Sequence, residues 1–213
     1  MDKNYHANRN FFHACVCFID EYMIFKNLTN KKIILASKSP RRQELLKGLG
    51  LSFEIKTKVI DEYFPNTIDV SDVALFLAQK KAEAYEISID EILITSDTTV
   101  LLTDRILNKP QNTEEVIEML QSLSGKTHKV CTGVYIKSTD KEVAFSDFTS
   151  VTFKPLSLDE IEYYIKHFNP FDKAGSYGIQ EWIGFIGIEK IEGCYYNVMG
   201  LPLSKLYQEL LEF

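Results

Sequence analysis

Two charged constellations stand out in this chain. The first lies in Leu35-Ala36-Ser37-Lys38-Ser39-Pro40-Arg41-Arg42-Gln43-Glu44-Leu45-Leu46, directly after Ile33-Ile34. It reads as a strand that ends in a small polar turn and restarts as a helix at Pro40. Ser39 suits the N-cap, and proline suits the first helical position because its missing N–H would be orphaned there anyway. A helix start offers unpaired N–H groups and the positive end of the dipole, so it attracts anions. Lys38, Arg41 and Arg42 are unfavourable at that end unless a strongly negative group, such as a polyphosphate, sits among them. A solvated basic turn accounts for the same residues equally well.

The second constellation is Ile92-Leu93-Ile94-Thr95-Ser96-Asp97-Thr98-Thr99-Val100, a carboxylate between two apolar runs. Aspartate is poor in strands, so Asp97 is expected at a bend where a strand empties into a cleft. There it would ligate Mg²⁺ or orient a water for attack on phosphorus. A turn aspartate bonded to its own backbone is the simpler alternative. Asp61-Glu62 supplies further carboxylates, or only a solvated acidic loop. Lys109, held extended by Pro110, is either a cation for the same ligand or a surface lysine. Lys173-Ala174-Gly175-Ser176-Tyr177-Gly178-Ile179-Gln180 is a glycine-punctuated loop that permits close backbone approach. Its Gln180 carries a donor and an acceptor suited to a base edge; a tight structural turn explains the loop as well. The four histidines lack H-x-x-x-H spacing, and neither G-x-G-x-x-G nor a Walker A loop occurs. That disfavours a histidine zinc site, a dinucleotide fold and a P-loop.

The elements that must position these residues follow from periodicity. Strands are expected at 32–36, 53–59, 91–95, 98–103, 128–137, 142–153 and 183–191, and helices at 40–49, 71–86, 113–123, 158–168 and 202–212. Asn112-x-x-Glu115 and Ser157-x-x-Glu160 mark capping boxes. Val73, Ala74, Leu77, Ala78 and Ala82 share one face of 71–86 and leave Lys80 and Lys81 at its edge. Helices alternate with strands first, and adjacent strands follow. This pattern predicts an α/β fold, a mixed twisted sheet flanked by helices, with ligands at the carboxyl ends of strands.

With 213 residues, 45% of them hydrophobic and 25% charged, the composition suits one globular α/β domain. The net charge of −6 argues against sequence-independent nucleic-acid binding, so the basic residues near Arg41 are a local device for a small anion. Cys15, Cys17, Cys131 and Cys194 lack C-x-x-C spacing and read as reduced thiols in a cytoplasmic protein. No stretch reaches the roughly 20 apolar residues of a membrane helix. Residues 11–25 are apolar, but Asp20 and Glu21 interrupt them and no small-residue cleavage site follows. Residues 1–30 are expected to form an extension outside the fold, with Met23 the truer start, and residues 31–213 the domain.

Taken in order, these segments closely resemble the Maf family of nucleoside triphosphate pyrophosphatases. The resemblance rests on Leu35-Ala36-Ser37-x-Ser39-Pro40-Arg41-Arg42-x-Glu44-Leu45-Leu46, Ala78-x-x-Lys81-Ala82 and Ser96-Asp97-Thr98. It continues through Lys109-Pro110, Leu123-Ser124-Gly125-x-x-His128, Asp172-Lys173-Ala174-Gly175-x-Tyr177-Gly178-Ile179-Gln180 and Val198-Met199-Gly200-Leu201-Pro202. It implies a Maf/ITPase-like fold with an active-site cleft between two lobes. It also implies hydrolysis between the α and β phosphates with a divalent metal cation, Mg²⁺ or Mn²⁺, and a homodimer.

Carried over by position, Asp97 looks like the catalytic base. Arg41, Thr98 and Gln180 match positions linked to substrate choice. Ser37, Arg42, Lys81 and Lys109 resemble the polyphosphate grip, and Glu62 with Asp97 the metal site. Tyr177–Gln180 resembles the branch acting on dTTP and UTP; a branch preferring 7-methyl-GTP carries a glutamate-containing loop instead. Two departures matter. Thr95-Ser96 replaces the usual Gly-Ala, which would narrow the cleft or add hydroxyls to the phosphate network. Glu181 replaces the usual glycine after Gln180, beside the expected base pocket. A nucleotide-sensing regulator of cell division with little turnover, and a pyrophosphatase for other modified nucleotides, are the alternative functions.

Overall fold

The computed structural model describes residues 24–213. In chain order the elements are β1 (Lys32–Leu35), α1 (Pro40–Lys47), β2 (Phe53–Ile55), α2 (Val73–Glu83), β3 (Glu91–Leu102) and β4 (Arg105–Leu107). They continue with α3 (Thr113–Leu123), β5 (Thr127–Lys137), β6 (Glu142–Phe153), α4 (Leu158–Phe168), α5 (Trp182–Gly187), β7 (Ile188–Glu192), α6 (Tyr195–Met199) and α7 (Leu203–Leu211). The strands form one mixed sheet in the order β2-β1-β3-β5-β6-β7, with β4 also on β3. β1 runs parallel to β2 and β3, and the remaining pairs are antiparallel.

β3 organises the rest. Its ends are apolar and its middle, Thr95–Thr99, is polar. One edge pairs with β5 along most of its length. The other edge pairs with β1 only as far as Ile94 and with β4 only from Val100. Among the described residues no strand covers Thr95–Thr99 on that side, so the sheet has a gap at its polar band.

Because side chains alternate across a strand, even-numbered residues of β3 face one layer. Ile92 and Ile94 join a core with Leu46 of α1 and Leu206 and Leu210 of α7. Val100 joins a second core with Leu120 of α3, Ile161 and Tyr164 of α4 and Ile183 of α5. Ser96 and Thr98 lie between the two. The two lobes are thus the two halves of the same long strands, and the cleft opens at the gap.

On the other face α2 packs directly on the sheet. Gly133 of β5 lies opposite Asp97 in register, and a Cβ there would approach the Leu75 backbone to 2.4 Å. Only glycine lets the helix backbone come this close, which brings Lys81 over β3. Thr95 Oγ1 adds a tie, donating to the Ala78 carbonyl at 2.6 Å.

Several expectations are corrected. β3 is continuous through Asp97 rather than bent, because the backbone stays paired with β5 while the carboxylate is neutralised by Lys81. Residues 182–187 are helical rather than strand, an apolar run too short for periodicity to decide. The strand expected at 53–59 ends at Ile55, and β4 and α6 were not foreseen. Ser157 and Glu160 form a full capping box, whereas Glu115 reaches back to Gln111 rather than to Asn112. Ahead of β1 a short segment of the chain packs on the first core. Phe25 and Leu28 are buried in the first core, Phe25 packs edge-on against Tyr207, and Asn27 Nδ2 donates to the Leu210 carbonyl at 2.7 Å. The rest of the expected extension, with Met23 and the apolar stretch from residue 11, lies outside the described residues.

Substituting Gly133→Ala should lower the unfolding free energy in urea by about 2 kcal/mol or more, as overpacking against backbone does. A change below about 0.5 kcal/mol, the range of an ordinary surface substitution, would mean that α2 does not depend on this contact.

Candidate active site

The cleft at the gap has a volume of about 710 Å³, within the range of small-molecule sites. Ser37, Arg41, Arg42, Glu62, Lys81, Asp97, Thr98, Lys109 and Gln180 all line it. Seven lysines and arginines line it against the three carboxylates Glu62, Asp97 and Asp172, an excess of four positive charges in a chain of net −6. Such local concentration attracts anions despite the overall charge.

At its centre the Lys81 ammonium, from the last turn of α2, binds the carboxylates of Asp97 and Glu62. It meets Asp97 Oδ1 in a short contact and Glu62 Oε1 at 2.8 Å. Glu62 comes from the long loop between β2 and α2, and its other oxygen lies 3.7 Å from Lys109 Nζ. Partial burial favours the neutral acid at Glu62. The bond from Lys81 and the charges of Lys81, Lys109 and Arg42 outweigh it and hold the carboxyl below its usual range. Among the described residues no group of three or more His, Cys, Asp or Glu side chains gathers to hold a metal. Two carboxylates converging on one cation do suit Mg²⁺, which commonly takes one or two carboxylates and fills its sphere with water and substrate oxygens.

On the opposite face of β3, Arg42 Nε donates to the Gly200 carbonyl at 2.8 Å and Nη2 to Thr98 Oγ1 at 2.8 Å. Ser96 Oγ donates to the same Gly200 carbonyl at 3.2 Å, and Thr98 Oγ1 meets Thr132 Oγ1 at 2.9 Å. Burial draws the Arg42 pKa down and the Asp97 charge opposes this. α1 starts as expected: Ser39 Oγ accepts from Arg42 N at 3.5 Å, and Ser37 Oγ accepts from Ser39 N at 3.2 Å. The hydroxyls of Thr95 and Ser96 therefore brace the scaffold. Thr95 holds α2, and Ser96 holds the Gly200 turn.

Arg41 reaches across the cleft to Asp172 Oδ2 at 2.9 Å. Burial favours the neutral acid at Asp172, but bonds from Lys173 and Arg41 keep its carboxyl below the usual range. Gln180 lines the cleft with its Oε1 buried and unpartnered among the described residues. Beneath that loop, His128 Nε2 and the Tyr177 hydroxyl lie 2.7 Å apart in the second core. Glu181 turns away from the cleft toward Tyr164 and Lys173. Gly133, Thr132, Tyr164 and the Asp172–Lys173 pair were not foreseen as supports. Most of their partners lie on other elements, and no spacing within the chain signals those contacts.

A family model described as "Maf-like protein" matches residues 32–213. The chain belongs to the Maf family. Its relatives include a dTTP/UTP pyrophosphatase of Parabacteroides distasonis, 51% identical over 89% of this chain and all of the relative. A dTTP/UTP pyrophosphatase of Bacteroides fragilis is also 51% identical, over 86% of this chain and 97% of the relative. The solved structure of a HAM1 protein from Coxiella burnetii aligns with 86% of this chain at 15% identity and a TM-score of 0.45, too distant to carry site residues across. No helix among the described residues is long and apolar enough to cross a membrane.

Burial draws the His128 pKa down to about 4. Unfolded, histidine titrates near 6.5, so between these values the unfolded chain takes up a proton that the folded Maf domain does not. Stability should therefore fall as pH drops through this window, by on the order of 2 kcal/mol between about pH 7 and about pH 5. Urea unfolding of the wild type and His128→Gln at both pH values checks this. The same pH dependence in both proteins would contradict it.

Proposed function

We propose that this Maf protein hydrolyses nucleoside triphosphates, dTTP and UTP foremost, to the monophosphate and pyrophosphate. The observation that carries the reading is the Asp97 carboxylate facing a strongly cationic cleft of nucleotide size. The names of the relatives and the Tyr177–Gln180 loop support the pyrimidine preference.

In this reading Ser37, Arg42, Lys81 and Lys109 hold the triphosphate, with Arg41 and Thr98 contributing to substrate choice and Gln180 facing the base. An ammonium has three donors, and Lys81 gives two to Asp97 and Glu62, so a phosphate oxygen can take the third. Asp97 orients a water and takes its proton as the oxygen attacks the α-phosphorus. The bond from that phosphorus to the bridging oxygen breaks, and pyrophosphate leaves. Lys109 and the arginines neutralise the charge that develops on it, the main catalytic task in such reactions. Asp97 and Glu62 are the residues that would hold Mg²⁺ or Mn²⁺, which when bound would supply further neutralisation of the phosphates. A nucleotide sensor needs no water-activating carboxylate, which favours the enzyme over the regulatory reading. The free thiols of Cys131 and Cys194 support a cytoplasmic setting. The acidic net charge supports a small nucleotide rather than nucleic acid as ligand. Family resemblance supports a homodimer.

A pyrophosphate-release assay across nucleotides, with Mg²⁺ or Mn²⁺, should give turnover highest for dTTP and UTP. Absence of release from every nucleotide would sink the reading. Asp97→Asn should keep the fold and bind the triphosphate within about threefold of the wild type, while kcat falls about a hundredfold or more, as loss of a general base predicts. A kcat within about twofold of the wild type would remove Asp97 from that role.

A further inference from the structure

We propose that Glu181 is a positioning residue that sets base selectivity by anchoring the Gln180 loop from below. The proposal rests on the reading that Gln180 meets the base. Glu181 does not line the cleft. Its Oε1 lies 3.1 Å from Lys173 Nζ, and its Oε2 accepts a short hydrogen bond from the Tyr164 hydroxyl. That hydroxyl in turn accepts from the Gly178 N–H at 3.0 Å, and the Glu181 N–H donates to the Gly178 carbonyl at 3.0 Å. Both ends of the turn that carries Gln180 are thereby tied, and they are tied to the same buried group.

The fit is close. A Cβ on Gly178 would lie 2.8 Å from the Glu181 carboxyl carbon and 3.0 Å from Gln180 Nε2. The carboxylate therefore packs against the turn itself, and a shift of it is passed directly to Gln180. Lys173 is only 6% exposed, and a buried ammonium demands partners. It has Glu181 on one side and Asp172 Oδ1 at 2.8 Å on the other, and Asp172 holds Arg41. An ion-pair chain thus runs from Arg41, among the cations of the cleft, to the support under Gln180. Charged groups this well paired fix geometry more than they add stability.

Binding of thymidine, uridine, cytidine and adenosine monophosphates, and of tripolyphosphate as the base-free probe, tests this in the full chain by calorimetry. In Glu181→Gln and in Tyr164→Phe, affinity for the thymidine and uridine monophosphates should fall about tenfold, the loss of roughly one charge-assisted hydrogen bond's worth of ordering. Preference over cytidine and adenosine should narrow by a similar factor, with tripolyphosphate affinity unchanged. Glu181→Asp, which keeps the charge, should restore part of the preference. Unaltered preference in either folded variant, or equal losses for every ligand including tripolyphosphate, would overturn the proposal. A wild type with no preference for thymidine and uridine over cytidine and adenosine would instead overturn the reading of Gln180 on which it rests.

Discussion

One ammonium group holds this site together. Asp97 and Glu62 both bear negative charge and approach the same point, an arrangement that repulsion forbids without a cation between them. Lys81 is that cation, and its own position depends on the backbone of α2 lying against Gly133 and on the tie from Thr95 to Ala78. The side chains of Lys81 and Asp97 are only 15% and 13% exposed, so removing Lys81 would leave the Asp97 carboxylate buried without its cation, at about 3–5 kcal/mol for a buried pair. The site and the helix packing are therefore one construction.

The second constraint is the polar band of β3. It separates the two cores where neither β1 nor β4 reaches the edge of β3. Thr95–Thr99 leave an unpaired edge, with Asp97 on the α2 face and Thr98 on the other. Arg42 and Ser96 meet at the Gly200 carbonyl on that second face. Cations supplied by α1, α2, the segment after β4 and the loop before α5 reach the gap from all sides. This is how a chain of net −6 presents a cationic pocket.

Much of this was legible in the sequence. The helix start at Pro40, the buried face of α2 and the strands of the mixed sheet follow from caps and periodicity, which are local. The side chains named as site candidates do share one cleft, because α1, the last turn of α2, the middle of β3 and the loops that carry them all meet at the gap. The continuity of β3 was not legible, since a strand propensity at Asp97 cannot register a lysine supplied by a helix that precedes it in the chain. Nor were the supports. Gly133 looks like any strand glycine until α2 is placed on it. In the sequence Glu181 reads as a change to the base pocket, whereas Tyr164 and Lys173 draw its side chain away from the cleft.

The most direct test of the account is a crystal structure with an α,β-imido analogue of dTTP bound. The triphosphate is expected in the gap beside Thr95–Thr99, with a phosphate oxygen on Lys81 and the α-phosphorus one water away from the Asp97 carboxylate. A triphosphate seated elsewhere, or an α-phosphorus on the far side of the cleft from residue 97, would contradict it.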